Sequence, residues 1–183
     1  MKLVFVFSGQ GAQSVGMGKD LYERSSAAKN IFDEADRILG INLSDICFNG
    51  PESKLTESAV CQPAIFTMSC ACLAAFREKY PSVGIPLGVG GLSLGEYAAL
   101  YSAGVFSFSD GLKTVAKRGQ LMDEACKKNG GAMASVIGGD VSVIESVCAE
   151  TYVSIANFNC PGQVVISGIS ENISQAIEAL KAK

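Results

Sequence analysis

The sequence has no histidine among its 183 residues. An imidazole general base and a histidine metal ligand are therefore both excluded from this chain taken alone. It also lacks any Cys-x-x-Cys pair, although seven cysteines are present, at positions 47, 61, 70, 72, 126, 148 and 160. An odd number of thiols, several in apolar helical or strand contexts, fits small buried side chains in a reducing compartment better than a disulfide framework or a zinc site. An excess of positive charge is missing too: 15 Lys and Arg stand against 18 Asp and Glu, for a net charge of -3, and no basic run occurs. That argues against nucleic acid as the main partner and against a polybasic membrane-binding surface.

No export or membrane signal is legible. The start has one lysine and then an apolar run over residues 3–7 only, shorter than the ~7–15 residues of a signal h-region. Residues 58–76 carry no charge, but they contain Gln62, Pro63, Thr67 and Ser69. Pro63 suits the first turn of a buried helix, so a core helix is expected there and not a membrane span. The expected location is cytoplasmic. What is present, 48% apolar and 18% charged residues, is a globular composition with enough chain for a real core.

Along the chain, residues 3–7 form a continuous β-branched and aromatic run that predicts a buried strand of parallel type. A glycine-rich loop, SGQGAQSVGMG, follows, and helical patterns cover about residues 20–39. A second helix is expected from Gln62-Pro63 to about Lys79, then a short apolar strand over residues 85–89, a tight glycine turn and an Ala/Leu-rich helix. Another helix should span about residues 109–128, capped by Ser109-Asp110. After Asn129 the texture changes to strand 132–137, helix 141–150, strands 153–158 and 163–167, and helix 170–183. This βαββα order reads as a split βαβ motif without its closing strand. It divides the chain into 1–128 and 129–183 and suggests a portion of something longer.

Three places could do chemistry. Gly91-Leu92-Ser93-Leu94-Gly95 matches G-x-S-x-G, in which a serine at a strained strand-to-helix turn is pushed out of the backbone and the next N–H faces a developing oxyanion. The pattern alone is weak in a chain with 20 glycines, and an ordinary glycine-rich corner would also produce it. The preceding apolar run and the following helix-forming EYAAL strengthen it. The loop at Ser8–Gln13 could turn main-chain N–H groups toward a ligand oxygen, or be a plain turn. Arg118 reads either as part of a solvated helix face or as a guanidinium whose fork matches a carboxylate.

Taken together, FVFSGQGAQ, CQPAIFT, GGLSLGEYAALYSAG, KRGQLM, GAMASVIG and NFNCPGQVVISG closely resemble the malonyl-CoA:acyl carrier protein transacylases of fatty-acid synthesis, in the family's order and over nearly the whole chain. The resemblance implies an α/β fold: an α/β-hydrolase-like larger part, into which a ferredoxin-like α+β subdomain is inserted and here incomplete. It implies that Ser93 takes malonyl from coenzyme A as an ester and passes it to the phosphopantetheine thiol of acyl carrier protein. Backbone N–H groups of Gln10 and Leu94 match the family's oxyanion hole, Arg118 the arginine that pairs with the malonyl carboxylate, and Gln62 a glutamine near the site. No cofactor or metal is implied, since malonyl-CoA is a substrate. Partners are malonyl-CoA and acyl carrier protein, without nucleic acid or membrane.

Two departures follow from the same resemblance. The family's elbow usually reads Gly-His-Ser, whereas Leu92 precedes Ser93 here. The family's catalytic histidine lies after the inserted subdomain, beyond the last residue of this sequence. Without that base, little activity is expected of the chain alone, together with association through surface the absent segment would cover. The alternatives are a serine thioesterase-type hydrolase and a non-catalytic remnant that binds coenzyme A or carrier protein.

Overall fold

The computed structural model describes residues 2–183, which form two compact units dividing between Asp123 and Glu124. In the first unit, β1 (Val4–Phe7) pairs in parallel with β2 (Gly88–Gly91), Val4 opposite Gly88 and Phe7 opposite Gly91. Strand alternation sends Phe5 and Phe7 one way and Val4 and Val6 the other. Phe7 packs against the main core and the Phe5 ring meets Phe76 edge-on at 5.5 Å, whereas Val4 and Val6 are 62% and 81% exposed. The strand is thus of parallel type, as the apolar run predicts, but buried on one face only, because the first unit's helices cover only that side.

Among the described residues, seven helices complete this unit. They are α1 (Lys19–Arg24), α2 (Ser26–Leu39), α3 (Leu43–Asn49), α4 (Glu52–Leu55), α5 (Ser58–Lys79), α6 (Leu94–Ser102) and α7 (Phe108–Asn129), of which α7 passes the unit boundary. The helical pattern over 20–39 is two helices. Ser25 takes an extended conformation (φ −128°, ψ 119°), and its hydroxyl accepts the Ala28 N–H at 3.1 Å to cap α2.

Helix α5 starts at Ser58, so Pro63 lies inside it and not in its first turn. By length and composition α5 could cross a membrane, yet 67% of its apolar window is buried within the protein. It is the helix around which the core forms: Cys61, Ala64, Phe66 and Ala71 are fully or almost fully buried with Phe32, Leu55, Leu112 and Val115. Strand β2 begins three residues later than the predicted 85–89 run, since Ile85 is 96% exposed. The cap of α7 is Ser107, whose Oγ accepts the Asp110 N–H at 3.1 Å and donates to the Asp110 carboxylate at 2.7 Å. The predicted Ser109-Asp110 cap therefore falls two residues late.

The second unit holds β3 (Gly131–Ile137), α8 (Val141–Glu150), β4 (Ser154–Cys160), β5 (Gln163–Ile169) and α9 (Ser170–Lys181). The sheet is antiparallel with β5 central, in the order β3-β5-β4. Val164 and Ile166 of β5 meet Ile144 and Val147 of α8 and Ile173 and Ala176 of α9 in a second core. Asp140 caps α8 by accepting the Ser142 N–H at 2.7 Å. The Ser142 hydroxyl bound to the same carboxylate holds its pKa below the usual range.

Candidate active site

The site begins where β2 turns into α6. Ser93 sits between the last residue of the strand, Gly91, and the first of the helix, Leu94, with φ 53° and ψ −101°. A positive φ at a residue with a Cβ costs about 1–3 kcal/mol and persists only where its surroundings impose it. Here glycines impose it. A Cβ on Gly95 would stand 2.3 Å from the Phe7 carbonyl oxygen, and one on Gly91 would stand 2.2 Å from the Gly95 carbonyl carbon. The ends of β1, β2 and the first turn of α6 therefore interlock through bare backbone, and the Ser93 side chain is left exposed.

The same close packing brings the first glycine loop to the corner. A Cβ on Gly9 would lie 2.9 Å from the Leu92 carbonyl oxygen, so Gln10 follows a residue pressed against the Ser93 turn. Leu94, 1% exposed, opens α6, and its N–H is one of the first-turn donors that a helix leaves unpaired. Leu92 itself is 61% exposed.

Helices α5 and α7 bring the polar side chains. Arg118 Nη2 donates to Ser93 Oγ at 2.8 Å and Nη1 to Gln62 Oε1 at 2.7 Å, and the guanidinium carbon lies 5.7 Å from the centre of the Tyr97 ring. Gln62 is fully buried and hydrogen-bonded at both ends of its amide: its Nε2 donates to Gln10 Oε1 at 3.3 Å and to Met122 Sδ at 3.0 Å. Gln10 Nε2 then donates to Ser58 Oγ at 3.2 Å. One hydrogen-bonded chain thus runs from Ser93 through Arg118, Gln62 and Gln10 to Ser58. Every predicted site side chain of this set is gathered in it, and Leu94 stands beside Ser93 through the backbone.

Met122, Ser58, Tyr97 and Asp123 also belong to this neighbourhood, and sequence reasoning did not single them out. Met122 carried a signal, being four residues after Arg118 on one helix face; the others meet the site through packing of distant segments. Cys61, next to Gln62, is fully buried, and burial pushes its thiol up to about 11, so it is not an available nucleophile. Among the described residues, no three of His, Cys, Asp or Glu gather in a way that could hold a metal. Two cavities of about 610 and 460 Å³ lie along β1 and α5, and neither includes Ser93 or Arg118.

A strained serine at a parallel-strand-to-helix corner, hydrogen-bonded to an arginine from a neighbouring helix, defines a mixed α/β protein of the kind built around a G-x-S-x-G turn. The chain belongs to the acyl transferase domain family, which matches residues 4–183. It is similar to the malonyl CoA-acyl carrier protein transacylase of Bacillus subtilis, with 45% identity over 98% of this chain and 57% of the relative. The enzyme of the same name from Staphylococcus aureus MRSA252 is 39% identical over 99% of this chain and 59% of its own. Among solved structures, the Clostridium perfringens transacylase superposes with a TM-score of 0.86 at 39% identity, over all of this chain and 58% of that one. A malonyl-transacylase in complex with a type II polyketide acyl-carrier protein superposes with a TM-score of 0.91 at 39% identity, over 60% of its chain. The chain therefore spans less than two thirds of the length of these relatives.

Proposed function

We propose that this chain is the amino-terminal portion of a malonyl-CoA:acyl carrier protein transacylase, with Ser93 as nucleophile. The first unit is then the start of an α/β-hydrolase-like domain, and the second an incomplete ferredoxin-like subdomain. The observation that carries the proposal is the 2.8 Å bond from Arg118 Nη2 to Ser93 Oγ at the positive-φ turn. It puts a fixed cation beside the reacting hydroxyl, where an acyl group ending in carboxylate would place its charge.

In the first half-reaction Ser93 Oγ attacks the thioester carbonyl, and negative charge on its oxygen meets the N–H groups of Gln10 and Leu94. The C–S bond breaks, coenzyme A leaves as the thiol with the serine proton, and malonyl stays as a seryl ester. In the second, the phosphopantetheine thiol of acyl carrier protein attacks the ester and returns the proton to Ser93. Arg118 exchanges Ser93 Oγ for the malonyl carboxylate, which both selects the substrate and frees the hydroxyl. The proton needs a base, and these 183 residues contain no histidine. Loss of the base in a serine–histidine pair costs on the order of 10⁴–10⁶ in turnover, whereas an oxyanion donor contributes roughly 10²–10³. The chain alone is accordingly a weak enzyme or inactive.

The test is incubation with radiolabelled malonyl-CoA, with and without the downstream polypeptide of a relative, followed by peptide mass spectrometry. Label on Ser93 that requires the added piece, and is abolished by Ser93→Ala, is the expected result. Strong label from the chain alone overturns the account of the missing base. Tight retention of malonyl-CoA without label in either condition supports a non-catalytic binding remnant, and rapid release of free malonate a thioesterase.

A further inference from the structure

Asp123 joins the two helices that carry the site. Helix α5 opens at Ser58; the Glu57 carbonyl accepts the Val60 and Cys61 N–H groups, but the Glu57 side chain makes no cap bond, so the N–H groups of Ser58 and Ala59 need an acceptor from elsewhere. Asp123 supplies it from α7: Oδ1 accepts the Ser58 N–H at 3.1 Å and Oδ2 the Ala59 N–H at 2.8 Å. Both bonds are charge-assisted and lie at the positive end of a 22-residue helix. One turn earlier on α7, Gly119 lets the helices touch, since a Cβ there would stand 2.3 Å from the Ser58 carbonyl oxygen. These two contacts set where α5 starts against α7. Ser58 and Gln62 lie four apart on α5, and Arg118 and Met122 four apart on α7, so each pair shares one helix face. Only a fixed register between those faces lets Arg118 Nη1 reach Gln62 Oε1 at 2.7 Å while Gln62 Nε2 reaches Met122 Sδ at 3.0 Å.

We infer that Asp123 is a positioning residue for the carboxylate-recognising end of the site: through the first turn of α5 it holds Gln62, and through Gln62 it aims the Arg118 guanidinium. The inference rests on the acyltransferase reading above. Without the carboxylate, the Ser58 and Ala59 N–H groups lose their acceptor and the first turn of α5 is free to slide. Arg118 then loses the carbonyl that orients it, while the Ser93 turn, built from glycine contacts among β1, β2 and α6, stays in place.

The experiment compares the unaltered chain with Asp123→Ala, Asp123→Asn and Ser25→Ala, the last removing the α2 cap as a stability control away from the site. Melting temperature and calorimetric Kd values for malonyl-CoA and acetyl-CoA are measured at a temperature where circular dichroism shows each variant folded. The unaltered chain prefers malonyl-CoA, and Ser25→Ala melts lower with that preference unchanged. Asp123→Ala narrows the preference by about tenfold, equivalent to one lost charge-assisted bond. Asp123→Asn, which keeps one acceptor oxygen, falls between and decides the matter should Asp123→Ala not fold. Asp123 variants that melt lower but keep the full preference make the residue a structural cap and overturn the inference. No preference in the unaltered chain overturns the acyltransferase reading instead.

Discussion

Arg118 shows what a single position reveals and conceals. Its place in α7 is legible from helical periodicity, but periodicity does not say whether the guanidinium meets water or another helix. The resemblance over KRGQLM pointed to the second, and the structure places Arg118 against both Ser93 and Gln62. Arg118→Ala removes the cation that a terminal carboxylate would pair with, leaving the thioester end of the substrate untouched. A hydrogen bond to a charged group is worth about 1.5–3 kcal/mol, so on the proposed transacylase reading the malonyl-over-acetyl preference should fall roughly 10- to 150-fold. Competition between the two coenzyme A esters for Ser93, run with the added downstream polypeptide, measures this directly, and an unchanged ratio removes the assigned role. Asp123 was invisible at this scale for a different reason. An aspartate near the end of an amphipathic helix looks like any solvated carboxylate until the start of α5 is brought to it in space.

Elements were legible where local signals agree. The predicted helix 141–150 coincides with α8, because Asp140 marks its start and apolar spacing its length. Boundaries moved where a single residue outweighed the pattern. Ser25 is itself a capping residue type, yet the helical periodicity on either side hid the break between α1 and α2. Pro63 suggested a helix start, whereas α5 already begins at Ser58, where Asp123 takes up two N–H groups. The contact between α5 and α7 makes an element-scale prediction with a diagnostic sign. Glycine to alanine in a helix interior ordinarily stabilises by about 1 kcal/mol. At Gly119 the new Cβ would meet Ser58 O at 2.3 Å, Ser58 C at 2.9 Å and Ala59 Cα at 3.1 Å, all backbone atoms that cannot rotate away. Gly119→Ala should therefore destabilise, by about 1–3 kcal/mol as for other overpacked contacts. Urea unfolding gives the answer, and a higher midpoint would mean that the two helices separate at little cost.

For the whole molecule, the decisive feature is the sheet of the first unit. Parallel strands normally have both faces covered, because their crossover connections place helices on each side. Among the described residues β1 and β2 stand alone, with Phe5 and Phe7 facing in and Val4 and Val6 facing out. The residues beside those valines on β2 are Gly88 and Gly90, where an added Cβ would meet nothing within 4 Å, so that side of the sheet is open. Two-stranded sheets also keep unpaired N–H and C=O groups on both outer edges, which are templates for another chain. Exposed Ile85 at 96% and Leu87 at 71% add apolar surface to the same unit. Composition alone foretold none of this, since 48% apolar residues is compatible with a fully covered core. The chain should consequently self-associate, its sedimentation coefficient rising over a roughly tenfold increase in concentration, as mass action requires. Val6→Lys combined with Ile85→Lys places charge on open surface without touching the core or the Ser93 turn, and should return the protein to a monomer with its melting temperature little changed. A monomer that shows no concentration dependence before substitution would mean that the open sheet face is too small to hold a second chain.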